Sequence, residues 1–292
     1  MPELPEVETV VRDLNKKVLK RTFFDVWTDF PRMIKKPKNF EEFKRKIRGR
    51  KIKKVWRRGK NIIFELSGGL KLLIHQKLTG HLLYGVWGME EGKWKPKIKG
   101  PLQEKVNAYI HLLFTLDNNQ MLALSDLRKF AKAELWEKSE LENSKEFKSL
   151  GPEPLDKNFT FGKFKKLLSR KKKGKIKQVL MDQRIITGIG NIYSDEILWR
   201  AKIHPLKDVS ELKERELKRI FNSMREILPR AINLGGESFS DFRRISGQKG
   251  YFNKEIKVYR RQGEKCSRCG IIIKRVKVGG RSAHFCPNCQ PL

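Results

Sequence analysis

All four cysteines of the 292-residue chain fall near its end, as Cys266-x2-Cys269, a spacer of sixteen residues, and Cys286-x2-Cys289. Two pairs at this spacing can close tetrahedrally on one zinc ion through four thiolates, or form two disulfides in an oxidising compartment. An all-thiolate set leaves zinc no open coordination position, so the expected ion is structural. Between the pairs, Gly279-Gly280 suggests the turn of a short β-hairpin carrying Lys274, Arg275, Lys277 and Arg281. Such a finger can set a guanidinium against phosphate or in a groove, or be no more than a solvated basic surface.

Upstream of the finger the hydrophobic period changes twice. Val7, Val10, Val11 and Leu14 lie at i, i+3, i+4 and i+7, one face of a first helix that starts near Pro5. Residues 22–136 read as strands: Ile62, Phe64 and Leu66 alternate, Ser67-Gly68-Gly69 turns, and Leu70, Leu72 and Ile74 alternate again. A second pair runs from Tyr109 through Phe114, turns at Asp117-Asn118-Asn119 and resumes at Met121. Several strands with tight turns predict a two-layer sandwich. Residues 137–160 are charged, poor in large apolar side chains and broken by Gly151-Pro152-Glu153-Pro154, the pattern of a linker. Helical spacing then dominates, with Leu217, Ile220, Phe221, Met224 and Ile227 on one face of a long helix that stops at Gly235-Gly236. The stretch 237–256 has no period and reads as a long loop. The expected class is α+β: an N-terminal domain over 1–136, a linker over 137–160, a helical domain over 161–262 and a zinc finger over 263–292.

Charge narrows the partner. Lys and Arg number 66 against 33 acidic residues, a formal net charge of +33. That excess attracts a polyanion, nucleic acid first and an anionic membrane surface second. No apolar run approaches the roughly 18 residues of a membrane span, and the acidic N-terminus does not read as a signal peptide. A cytoplasmic protein with reduced thiols is expected.

Three further stretches suggest chemistry. If Met1 is removed, Pro2 carries a secondary α-amine, unprotonated in useful fraction near neutral pH because a terminal amine titrates near roughly 7.7–8.0. Attack by a secondary amine on a sugar's anomeric carbon gives an iminium that stays cationic and acts as an electron sink. Glu3 could move protons at that carbon, although Pro5, Glu6 and Glu8 equally describe an ordinary helix start. Lys171, Lys172, Lys173, Lys175 and Lys177 precede Thr187-Gly188-Ile189-Gly190-Asn191, a glycine turn at a helix start that can bind phosphate or simply join two helices. Lys60, after Arg57-Arg58-Gly59, could donate a proton or hold a phosphate.

Five segments in order, MPELPEVET at the start, RRGK ending at Lys60, LGPEPL from Leu150, MDQRIITGIGNIYSDEIL from Met181 and GRSAHFCPNCQ near the end, resemble the formamidopyrimidine-DNA glycosylase family over essentially the whole chain. That resemblance implies a bifunctional DNA glycosylase and abasic-site lyase acting as a monomer on double-stranded DNA with oxidised purines or abasic sites. It implies Pro2 as Schiff-base nucleophile, Glu3 as acid/base, Lys60 as proton donor in β-elimination and Arg281 as donor in δ-elimination. The helical domain would be a helix-two-turn-helix, with Lys172, Lys177 and Asn191 near DNA phosphates and loop 237–251 covering the extruded base. Asp126-Leu127-Arg128-Lys129-Phe130 resembles the family's Asp-Pro-Arg-Arg-Phe, whose first Arg and Phe fill the gap left by a flipped nucleotide. Leu78 stands where the family usually has a void-filling Met, and Tyr109 where it often has a DNA-contacting His. The four cysteines would hold one structural zinc. Two other readings remain at this point: an endonuclease VIII-like enzyme for oxidised pyrimidines, and a non-catalytic zinc protein that binds nucleic acid.

Overall fold

A computed structural model describes every residue except Lys172 and Ser240, so the reading of Lys172 as a DNA contact lies outside the described residues. The chain forms two compact units: Met1–Lys148 with Leu234–Asn253, and Ser149–Asn233 with Lys254–Leu292.

The first unit opens with helix α1 (Leu4–Lys17), then β1 (Phe23–Thr28), β2 (Ile34–Lys36), α2 (Phe40–Ile47), β3 (Ile52–Arg58), β4 (Asn61–Leu66), β5 (Leu70–His75) and β6 (His81–Gly85). A small hairpin of β7 (Trp87–Glu90) and β8 (Lys93–Pro96) follows, then β9 (Ile110–Leu116), β10 (Met121–Ser125), β11 (Lys132–Glu137), α3 (Lys138–Asn143) and α4 (Lys145–Lys148). Two sheets result, in the orders β1-β9-β10-β6 and β2-β11-β5-β4-β3, with β11 parallel to β2 and every other pairing antiparallel. Strand parity explains the layering. Ile62, Phe64, Leu72, Ile74, Leu112 and Phe114 face one shared core, closed by Val7, Val10, Val11 and Leu14 of α1. The intervening Ile63 and Leu73 face outward, and Leu141, Trp56, Trp136 and Phe147 cover them. On the other sheet, Leu113 and Ala123 are covered by Trp27, Trp87, Trp94 and Leu102. The sandwich is thus packed on both outer faces, which is why its central strands β4, β5, β9 and β10 carry apolar residues on both sides.

The second unit holds α5 (Phe161–Ser169), α6 (Ile176–Met181), α7 (Asn191–Ala201), α8 (Glu214–Asn233) and the hairpin β12 (Lys274–Val278) and β13 (Arg281–Phe285), turned at Gly279-Gly280. No helix among the described residues is long and apolar enough to cross a membrane.

The division differs from the sequence reading in two places. Residues 137–148 are not linker: Leu141 is buried, Lys71 pairs with Glu142 at 2.9 Å and Lys36 with Glu140 at 2.7 Å. Loop 237–251 belongs to the first unit rather than to the helical domain. Phe242 and Ile245 enter the sandwich core, and Arg244 forms a two-pronged pair with Asp13 of α1 at 2.7 and 2.9 Å. An aperiodic sequence carries no trace of such contacts, whose partners lie far away along the chain.

Candidate active site and nucleic-acid surfaces

In the first unit, Pro2 and Glu3 are buried at the N-terminal end of α1, while Met1 is 45% exposed. Glu6 organises this corner. Its Oε2 accepts the backbone N–H of Glu3 at 2.8 Å, and its Oε1 accepts that of Glu237 at 2.8 Å, so one carboxylate joins the helix start to the first residue of loop 237–251. Gly236 has φ +80°, and a Cβ there would come within 2.9 Å of the Glu6 side chain. Only glycine meets both conditions at no cost.

Lys60 is buried in the β3–β4 turn. Arg57 ties that turn to α1, donating from Nε to Glu8 at 3.1 Å and from Nη1 to the Gly59 carbonyl at 3.1 Å. Across the ladder His75 pairs with Asn61. Burial, then the charges of Lys77, Lys60 and Lys132, pushes the His75 pKa down to about 3. Its Nδ1 accepts the Lys77 N–H at 2.9 Å, so the neutral ring carries its proton on Nε2.

His75 also yields a stability prediction. Unfolded histidine titrates near about 6.5, above the folded value, so the contribution is complete above that pH and is lost as pH falls from 6.5 toward about 3. His75→Asn, whose Oδ1 can take the Lys77 N–H, is expected to flatten that part of the curve in urea unfolding at neutral pH and at a pH between the two values. Equal acid losses in both proteins would show that another group is responsible.

Leu78 lies half-buried in the turn after β5, and Thr79 beside it donates to Asp126. Asp126 is fully buried and also accepts Ala131 N–H at 2.7 Å and Arg128 N–H at 3.3 Å. That clamp lifts the tip of the loop outward: Phe130 is 50% exposed, and the Arg128 guanidinium lies 4.7 Å from its ring centre. A cation and a wedge held on a tight loop are the means by which a protein fills a void in a base stack. Tyr109 is half-buried, its carbonyl accepting Asp126 N–H at 2.8 Å, while His111 is held by Asp29 at 2.9 Å.

In the second unit the structure corrects one expectation. Lys177 is completely buried and does not present its ammonium to a ligand. Its three donors go to Asp195 Oδ1 at 2.5 Å, Ser194 Oγ at 3.1 Å and the Asn191 carbonyl at 3.3 Å, the full capacity of the group. Asp195 also accepts the backbone N–H of His284 at 2.9 Å and meets its Nδ1 at 3.0 Å, tying α6, α7 and β13 together. Next to it, Glu196 accepts the N–H groups of Lys257, Val258 and Tyr259, each at 2.9 Å. Burial pushes its carboxyl up despite those three donors. Neither acid was singled out in the sequence, although adjacent acids inside the apolar run Ile192–Leu198 of so basic a chain are a usable signal. Gln183 staples the glycine turn, bonding to the Met181 and Ile189 carbonyls at 2.8 and 2.7 Å and to Gly188 N–H at 2.8 Å.

Asn191, the first residue of α7, and Arg281, the first of β13, line one open recess of about 650 Å³ with Tyr259, Arg260, Arg275 and His284. The four cysteine sulfurs lie within 4.8 Å of one another. A zinc–thiolate bond of about 2.3 Å spaces tetrahedral sulfurs by about 3.8 Å, so the set fits a closed, structural zinc.

A helix-backed sandwich, a glycine-turned helical unit and a four-cysteine finger carrying arginines follow one another along the chain. Family models agree: the formamidopyrimidine-DNA glycosylase N-terminal domain matches residues 1–133, its H2TH domain residues 150–243, and the zinc finger found in FPG and IleRS residues 263–292. The formamidopyrimidine-DNA glycosylase of Pelotomaculum thermopropionicum is 39% identical over 290 residues, 99% of both chains. That of Lactococcus lactis subsp. cremoris is 38% identical over 291 residues, again 99% of both. A Lactococcus lactis FPG variant bound to Fapy-dG DNA superposes with a TM-score of 0.86 at 36% identity over 100% of both chains. The Lactococcus lactis enzyme with abasic-site DNA gives 0.86 at 36% identity, over 99% of this chain and 100% of that one. The chain belongs to the formamidopyrimidine-DNA glycosylase family.

Proposed function

We propose that this chain excises oxidised purines, 8-oxoguanine and formamidopyrimidines, from duplex DNA and then cuts the strand, acting as a monomer in the cytoplasm at the nucleoid. Its full-length relatives include enzymes solved with Fapy-dG and abasic-site DNA. The observation that carries the chemical reading is the placement of Pro2 and Glu3, both buried at the positive end of α1, with the Glu3 backbone held by Glu6.

With Met1 removed, the Pro2 nitrogen attacks C1′ of the damaged nucleotide and the base departs with the glycosidic electron pair, protonated as it leaves. The Pro2 nitrogen loses its proton, Glu3 protonates O4′ as the C1′–O4′ bond breaks, and the opened sugar is left as an iminium on that nitrogen. The cationic iminium acidifies C2′, so loss of a proton there expels the 3′ phosphate; a second elimination expels the 5′ phosphate and leaves a one-nucleotide gap with phosphate at both ends. Lys60 and Arg281 are the donors proposed for these two steps. Arg128, Phe130 and Leu78 occupy the space of the extruded nucleotide, with Tyr109 beside them, and Asn191 contacts backbone phosphate. Zinc supplies no reaction step; four thiolates shape the finger that presents Arg281.

Borohydride is expected to trap the protein covalently on duplex DNA containing 8-oxoguanine opposite cytosine. Tight binding without a trapped species would leave only a nucleic-acid-binding protein. Faster cleavage of thymine-glycol DNA than of 8-oxoguanine DNA would instead favour the pyrimidine-directed enzyme.

A further inference from the structure

Arg260 stands where its backbone favours glycine. Its φ is +59°, in the left-handed region that disfavours any side chain with a Cβ. The neighbouring chain imposes this: the N–H groups of Lys257, Val258 and Tyr259 are held by buried Glu196, and Arg261 N–H closes back on the Val258 carbonyl at 3.0 Å. A strained residue persists where its surroundings over-determine it, and such residues gather at functional sites. Left-handed backbone under a cation is not informative alone, because Lys20 and Lys202 share it. What sets Arg260 apart is where it stands. It lines the recess that contains Asn191, Arg275 and Arg281, with its guanidinium 5.8 Å from the Tyr259 ring centre. Among the described residues none of these three arginines has an acidic partner. Three unneutralised guanidiniums around one hollow repel each other until an anion enters, and guanidinium matches a phosphate oxygen pair in geometry.

We infer that Arg260 is a DNA-phosphate ligand, extending the Asn191–Arg281 surface to a further phosphodiester of the same strand, and that the strained backbone is retained for this contact. The inference rests on the DNA-repair reading above. Replacement by glycine separates the two roles of the residue, since it relieves the backbone while removing the charge.

The test compares the unaltered protein with Arg260→Gly and Lys202→Gly, measuring the salt dependence of Kd for a duplex bearing a tetrahydrofuran abasic analogue, and the thermal midpoint. Arg260→Gly is expected to weaken binding and to lower the log–log salt slope by about 0.9, the value for one phosphate contact, with a thermal midpoint equal to or above that of the unaltered protein. Lys202→Gly should leave the slope unchanged. A slope in Arg260→Gly equal to that of the unaltered protein overturns the inference, as does a lowered thermal midpoint, which would make the residue structural. An unaltered protein that fails to bind the duplex at all would instead remove the DNA-repair reading itself.

Discussion

Glu3→Gln is expected to lower excision of 8-oxoguanine from duplex DNA by about 10²- to 10⁴-fold, the usual contribution of a positioned acid/base. Glutamine has nearly the shape of glutamate and leaves untouched the backbone N–H that Glu6 accepts at 2.8 Å. The helix start should therefore stand, which circular dichroism checks. Proton transfer at the sugar is what the variant loses. A preformed abasic site already offers an aldehyde and no base to expel, so the Pro2 amine should still be trapped there by borohydride. Loss confined to the first substrate places Glu3 in the chemistry. Equal excision by both proteins would remove it, and loss of trapping on both substrates would mean that the corner around α1 had collapsed.

Asp195→Ala is expected to cost about 3–5 kcal/mol, the range for breaking a buried ion pair. Both partners are fully buried, so the Lys177 ammonium would remain in a dry interior without its counter-ion. The same change strips an acceptor from His284 and loosens the attachment of β13 to α7. Adding Lys177→Met to Asp195→Asn should recover part of the loss: asparagine still accepts from His284, and the stranded charge is gone. Urea unfolding of Asp195→Asn, Lys177→Met and the double variant gives the coupling directly. A single variant as stable as the parent would show that the pair contributes nothing net.

These residues also mark the limit of what was legible in the sequence. Helix α1, the β4–β5 and β9–β10 hairpins and the four-cysteine finger could be read because each announces itself locally, by a period of 3.6 or 2, a turn or a ligand spacing. Lys177 was misplaced for the opposite reason. In a chain with 66 Lys and Arg nothing local distinguishes the lysine that is buried, and its partner comes eighteen positions later on another helix. Glu6 could be read as a helix-start acid but not as the clasp of loop 237–251, because the second half of its role is a bond to Glu237. His75 is one of five histidines and nothing local in the sequence sets it apart; its low pKa comes from burial and from nearby lysines. The wedge loop at Arg128 and Phe130 was visible only through family resemblance. Its physical cause, a buried Asp126 that gathers Thr79, Arg128 and Ala131, appears only in three dimensions.

The central claim is that the polypeptide's own first amine bonds to the sugar. Tandem mass spectrometry of the borohydride-reduced complex, after digestion of protein and DNA, tests it most directly. Met1 is expected to be absent and the sugar remnant to sit on the nitrogen of Pro2. A remnant on the peptide containing Lys60, or a trapped protein that still carries Met1, would contradict it.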